Sequence, residues 1–249
     1  METNPVSIGA AWTEAREFIR REAGLLFPVA LLFIAIPIAL IFEAIPPEMR
    51  QAPMPGAARP QIPGTSLLLI MVCSLVMVGG TLTCYALSVK PGISLGEALA
   101  HGFRRLPVAV GSALIVAVAL AVPMVLLTAA SPQVGALLTL LAAFLLSAKL
   151  LLINVVIVDR PCGPIEALRA SWAMSRGNLG RLLLFLIGIS LPVMLAQTVA
   201  EVLLGLVGLA LGGPDVGRQM GIIGVAAALG VGQLFMIVMT SRIYRQITT

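Results

Sequence analysis

The sequence predicts an all-α integral membrane protein. Six transmembrane helices form three repeats of an interfacial amphipathic helix, a proline-broken span and a returning span, with both termini cytoplasmic. Three observations predict this. The chain has 249 residues, 59% hydrophobic and 11% charged, and a mean hydropathy of +1.05, whereas a soluble domain carries about 25% charged residues. The apolar residues gather into runs of roughly 20, the length that crosses a ~30 Å hydrocarbon core as a helix. The stretch from Gly163 to Met194, a short charged helix running into a span that contains Pro192, has weaker copies beginning near Ser7 and Ser94.

Residues 1–23 are polar, with Ile8, Ala11, Ala15 and Phe18 at helical spacing and Glu14, Glu17 and Arg21 off that stripe. This pattern predicts an amphipathic helix on the membrane surface, or a solvated arm beside the membrane. Leu25 to Ile45 is the first span, broken midway at Pro37. No compact signal peptide with a cleavage site precedes it, so it is expected to stay as an anchor. Residues 46–65 carry prolines at 46, 47, 53, 55, 60 and 63 and predict an extended extracytoplasmic loop. Ser66 to Val89 is the second span, with Gly79-Gly80 as a close-packing point, and Lys90-Pro91-Gly92 ends it.

The second amphipathic segment is Ser94 to Arg105, with Leu95, Leu99, Gly102 and Leu106 along one side. Span three follows from Pro107 to Thr128 and contains Pro123. A turn at Ser131-Pro132 leads to span four, which ends near Val158. In the third amphipathic segment Ile165, Leu168, Trp172 and Leu179 form the apolar stripe, opposite Glu166, Arg169, Ala173 and Arg176. Residues 182–211 would be ~45 Å long as one helix, so span five is expected to end near Glu201, with Val202 to Leu211 at the outer surface or tilted. Gly212 to Asp215 predicts a turn, and span six runs from about Met220 to Met239.

Glu97-Ala98-Leu99 matches Glu166-Ala167-Leu168, and at the same offset Pro123 matches Pro192. Ser7, Gly9 and Ala11 match Ser94, Gly96 and Ala98, and Pro37 misses Pro123 by one residue. The strings AIPIAL, AVPMVL and SLPVML surround the three prolines. The repeats therefore cover about 7–89, 94–158 and 163–245, and since each crosses twice they share one orientation. The termini and the 2–3 and 4–5 loops hold Arg16, Arg20, Arg21, Lys90, Arg104, Arg105, Arg160, Arg169, Arg176, Arg181, Arg242 and Arg245. The other side holds Arg50, Arg59 and Arg218. By the positive-inside rule the first side is cytoplasmic.

The net charge of +5 follows these flanking arginines, and no motif for a nucleic-acid partner accompanies it. Cys73 and Cys84 are about three turns apart on one predicted helix, too far to bridge, and Cys162 lies in a charged loop. No cysteine or histidine spacing suits a metal, and no cofactor is expected. His101 is the single histidine, with no nucleophile beside it in the sequence. No phosphate-binding loop, nucleophile elbow or carboxylate pair stands out, so no catalytic residue is nominated and a non-enzymatic protein is expected.

Lys149 stands about ten residues above the cytoplasmic end of span four. A lysine there either snorkels to the interface or lines a polar cavity. Asn154, Gln197 and Glu201 complete that candidate intramembrane polar site, with Gln233 as a further candidate, while Glu43 sits at the outer end of span one. Gln197 and Glu201, four apart, share a helix face. On the basic side Arg104, Arg105, Arg169, Trp172 and Arg176 are candidate headgroup contacts.

The residues Gly163, Ala167, Leu168, Ser171, Trp172, Gly177 and Asn178 form the pattern G-x-x-x-A-L-x-x-S-W-x-x-x-x-G-N. This resembles the membrane domain found beside some bacterial glycerophosphodiester phosphodiesterases, and is similar to the YciC-like inner-membrane proteins. Val156 to Asp159 (VIVD), the six-span layout and Tyr244 also fit. The resemblance implies a helical module of the bacterial inner membrane without the soluble catalytic domain, whose activity is not carried over. The expected partners are the lipid bilayer, anionic lipids in particular, and a membrane-protein partner or a second copy. The alternative function is a small transporter or channel for a hydrophobic or amphiphilic substrate, with Pro37, Pro123 and Pro192 breaking three equivalent spans around a pathway.

Overall fold

The computed structural model describes residues 7–45, 62–90 and 92–248. Among them the chain is helical throughout, with no strand, and six helices are long and apolar enough to cross a membrane. The helices are α1 (Ile8–Arg21), α2 (Ala23–Ala30), α3 (Ile36–Ala44), α4 (Gly64–Val89), α5 (Leu95–Ala130), α6 (Pro132–Lys149), α7 (Ile153–Asp159), α8 (Pro164–Met174), α9 (Leu179–Gly212) and α10 (Pro214–Thr248). The proline-rich loop predicted over 46–65 falls largely outside the described residues. Its last two residues already belong to α4, which starts at Gly64 rather than at Ser66.

The chain packs as two compact units. The first gathers the chain up to Glu22, Leu82–Ile189 and the chain from Phe235 onward; the second gathers Ala23–Thr81 and Ser190–Leu234. The core of the first is the end of α4, all of α7 and the last third of α10. Leu82, Cys84, Ala86, Val155, Ile157, Ile237, Val238 and Ile243 are each at most 1% exposed. Onto it pack the short helices. Trp12 of α1 stacks on Phe235 at 5.8 Å, and Ser7 and Gln246 exchange hydrogen bonds of 2.9 and 3.3 Å. α1 buries Ala11, Ala15 and Ile19 against protein, while Ile8 and Phe18 of the expected stripe are half-buried.

The second amphipathic segment and span three form one helix, α5, of 36 residues running through Pro107 and Pro123. Its start is fixed by a capping box. Ser94 Oγ accepts from the Glu97 amide at 3.3 Å, and Glu97 Oε2 accepts from the Ser94 amide at 3.0 Å, satisfying two N–H groups the helix cannot pair internally. Pro192 also lies inside a continuous helix, α9. Pro123 and Pro192 therefore interrupt no helix: each removes one N–H from a ladder that its neighbours carry on. Only near Pro37 is the winding altered. Leu31–Ala35 is a π-helical turn, closed by the Ile36 amide on the Leu31 carbonyl. Widening the helix there makes room for the proline ring, which would otherwise crowd the carbonyl four residues back.

In the second unit, backbones touch where glycines permit it. A Cβ on Gly80 would come within 2.3 Å of Phe33 Cβ, and one on Gly230 within 2.9 Å of Ala35 Cβ. The expected close-packing point at Gly79-Gly80 is thus a contact with the π turn. The helix that carries span five does not break near Glu201. It continues to Gly212, turns at Gly213 (φ 84°) and returns as α10 from Pro214, so that Gly205, Gly208, Gly217 and Gly224 lie at backbone contact between the two helices. At the same end Arg218 donates to both carboxylate oxygens of Glu43, at 3.0 and 3.1 Å.

Candidate functional site

The first unit contains every lysine and arginine of the chain except Arg50, Arg59 and Arg218. Its most distinctive feature is a break inside span four. After α6 the residues Leu150 to Leu152 form a turn, in which the Ile153 amide donates to Leu150 O at 3.0 Å. In an unbroken helix that amide would bond the Lys149 carbonyl. Two hydroxyls of the neighbouring α8 segment take its place: Ser171 Oγ donates to Lys149 O at 3.0 Å and Ser175 Oγ lies 2.8 Å from it. Both serines are 0% exposed. The Lys149 side chain places Nζ 4.9 Å from the centroid of the Trp172 ring.

Lys149 and Trp172, assigned by sequence to different sites, thus belong to one, where the π-face of the indole receives the ammonium. Asn154 is half-buried on α7 in this unit; Gln197 is half-buried and Glu201 exposed, both in the second unit. Within the first unit Lys149 is brought together with Trp172, Ser171 and Ser175. Nothing in the run Leu150 to Asn154 signals a helix break, and Lys149 itself was the one available sign.

The rest of the 163–178 pattern has local reasons. Glu166 Oε2 accepts from the Gly163 amide at 3.1 Å, capping α8, and Pro164 begins the helix, where its missing N–H costs no bond. Pro164 packs on Gly111 of α5, whose Cβ would come within 3.1 Å of the proline ring. Ala167 is fully buried. Gly177 has φ 85°, which disfavours a side chain. Asn178 is buried just before α9, its carbonyl accepting from the Leu182 amide at 3.0 Å.

In the same unit Arg104, Arg169 and Arg176 are exposed and Arg105 is half-buried, and among the described residues none of the four forms an ion pair. Trp172 is 41% and Ile165 56% exposed. His101 Nε2 lies 2.9 Å from Val158 O and 3.1 Å from Lys90 Nζ, so this nitrogen either donates to the carbonyl or accepts from the ammonium. Tyr244 donates to Asp159 at 2.6 Å, tying α10 to the end of α7. Among the described residues no group of three or more His, Cys, Asp or Glu is placed to hold a metal ion.

Pro37 is buried, but Pro123 and Pro192 are exposed. Their helices are also the least enclosed: 6% of the most apolar window is buried in Leu95–Leu127 and 11% in Leu179–Gly212, against 44% in Pro214–Thr248. A pathway lined by all three prolines would need each of them enclosed by protein.

No protein-family model, curated protein or solved structure matches this chain. The chemistry of the site must therefore be argued from its own residues.

Proposed function

We propose that this chain is a non-enzymatic module of the bacterial inner membrane that binds anionic lipid headgroups on its cytoplasmic face, of the glycerophosphodiester phosphodiesterase membrane-domain type. The observation that carries the reading is that, among the described residues, Arg104, Arg105, Arg169 and Arg176 of the first unit form no ion pair, while the Trp172 indole and the Ile165 side chain of the same unit are exposed. Cations at the end of membrane spans, next to an aromatic ring that tolerates both water and acyl chain, form a surface for phosphate headgroups. A membrane-protein partner or a second copy would meet the same face.

The threefold repeat supports the arrangement. Its equivalent positions Ala11, Ala98 and Ala167 are all 0% exposed, and Ala15, Gly102 and Ser171 are all buried. The three amphipathic segments thus bury small residues at equivalent positions. The transporter reading draws no such support, since Pro123 and Pro192 face outward.

Replacing Arg104, Arg105, Arg169 and Arg176 together by glutamine is expected to weaken co-flotation of the purified protein with phosphatidylglycerol vesicles by up to about a thousandfold, at about 1 kcal/mol per basic residue near an anionic surface. Unchanged flotation at equal folding would overturn the reading.

Topology has its own test in Cys162, which lies outside the spans while Cys73 and Cys84 are buried. A membrane-impermeant maleimide is expected to label Cys162 in inverted vesicles and not in intact spheroplasts. Burial pushes its thiol above the usual cysteine value of 9.0. The thiolate is therefore scarce near neutral pH, and labelling should speed up about tenfold per pH unit below the pKa. Labelling from outside would reverse the assigned sides.

A further inference from the structure

Among the described residues Arg242 is the one buried charged side chain, 7% exposed. It sits near the end of α10, and its guanidinium carbon lies 4.5 Å from the centroid of the Phe18 ring. The same ring carries the Arg21 guanidinium at 5.7 Å. Its charged neighbours are Arg245, Glu14 and Arg21. Arg21 is already bonded to Glu22 at 3.1 Å, and Arg245 Nη2 donates to Val89 O at 2.9 Å. Among the described residues no carboxylate reaches ion-pair distance of Arg242, and its Nε has no hydrogen-bond partner.

This is an incomplete electrostatic arrangement. A guanidinium withdrawn from water is ordinarily matched by a carboxylate or other anion, because attraction to one aromatic face recovers only part of the lost hydration. Here the guanidinium groups of Arg242, Arg245 and Arg21 outnumber the carboxylates of Glu14 and Glu22, so the cluster keeps a net positive charge that favours an anion. A guanidinium also offers parallel N–H donors that fit two oxygens of a tetrahedral phosphate, which an ammonium does not.

We propose that Arg242, with Arg21 and Arg245 around it, forms a binding site for a phosphate group, with Arg242 Nε as the inner donor. In assigning that phosphate to a lipid headgroup the proposal rests on the lipid-binding reading above; a free phosphate would satisfy the same donors. The site differs from the exposed face of Arg104, Arg105, Arg169 and Arg176 in being enclosed, so it should hold one ligand tightly where that face holds many weakly.

The test uses the full-length protein, delipidated in detergent, with native mass spectrometry during titration by phosphatidylglycerol, by diacylglycerol, which lacks the phosphate, and by inorganic phosphate. Wild type is expected to bind one phosphatidylglycerol at least tenfold more tightly than Arg242→Gln, with no such difference for diacylglycerol. Inorganic phosphate that binds wild type but not Arg242→Gln, and displaces the lipid, would make the free anion the ligand; no effect of inorganic phosphate makes it the lipid. Arg242→Lys keeps the charge and removes Nε, and should also bind about tenfold more weakly; it decides the question if Arg242→Gln does not fold. Equal lipid affinity in wild type and a folded Arg242 variant would overturn the site. The variant with glutamine at 104, 105, 169 and 176 is expected to retain the single tight lipid. If it loses flotation while Arg242→Gln changes nothing, the lipid-binding reading stands and this site falls.

Discussion

Gly208→Ala is expected to destabilise the protein by about 1–3 kcal/mol, the usual cost of overpacking, although helix propensity alone favours alanine over glycine by about 1 kcal/mol. The two effects have opposite signs, so the sign of the measurement decides between them. A Cβ at 208 would lie 2.7 Å from Val216 O, 2.8 Å from Gly217 Cα and 3.0 Å from Gly217 N. All three are backbone atoms of the facing helix and cannot rotate away as a side chain could. Relief requires the hairpin of α9 and α10 to open along its length, which also loosens Gly205 against Gly217 and Gly224 against Ala200. Gly188, on the same helix, has nothing within 4 Å of its Cβ position, and Gly188→Ala is expected to be neutral or stabilising by up to about 1 kcal/mol. Thermal unfolding of the two variants in detergent should move Tm in opposite directions. Both rising together would mean that the hairpin is not in backbone contact.

These glycines were open to reading in the sequence. Gly205, Gly208 and Gly212 on one helix and Gly217, Gly221 and Gly224 on the next recur at spacings of three and four, the pattern by which helices approach closely in lipid. The length of the run from Leu182 to Leu211 suggested instead a span that had to stop early. The six spans themselves and the concentration of arginines in one unit follow from composition and charge placement, the most robust properties of a membrane chain.

The buried faces of the short helices were harder to read. The apolar stripes were expected to lie on the membrane surface, and Ile165, Trp172 and Leu95 are 56, 41 and 36% exposed, while the small residues Ala167, Ser171, Ala98 and Gly102 are buried. Beside a bilayer, lipid accepts a leucine as readily as a protein core does, so burial of large side chains no longer decides orientation. Close approach of backbones does, and it selects the small residues. A hydrophobic stripe of this kind identifies a helix but not the side it packs on.

The break in span four was the least legible element, because its two halves are joined by residues 22 and 26 positions downstream. Ser171 and Ser175 share one acceptor, Lys149 O, and Ser175 Oγ also lies 2.8 Å from Ser171 O. Each hydroxyl has a single proton, so Ser175 donates to one carbonyl at a time while Ser171 stays on Lys149. Either serine alone can therefore satisfy the freed carbonyl. Ser171→Ala and Ser175→Ala should each cost about 0.5–1 kcal/mol. The double variant leaves a buried acceptor without a donor and should cost about 1–3 kcal/mol beyond the sum of the two. At about 2–4 °C per kcal/mol for a chain of this size, that excess is measurable as a fall in Tm, and Lys149 should become less protected as its Trp172 contact loosens. Quenching of Trp172 fluorescence by a water-soluble quencher, in a variant with Trp12 replaced by phenylalanine, reports that loosening separately from global stability. Strictly additive single and double effects would mean that the two hydroxyls do not serve the same carbonyl, and the 163–178 pattern would then need a reason other than sealing a broken membrane helix.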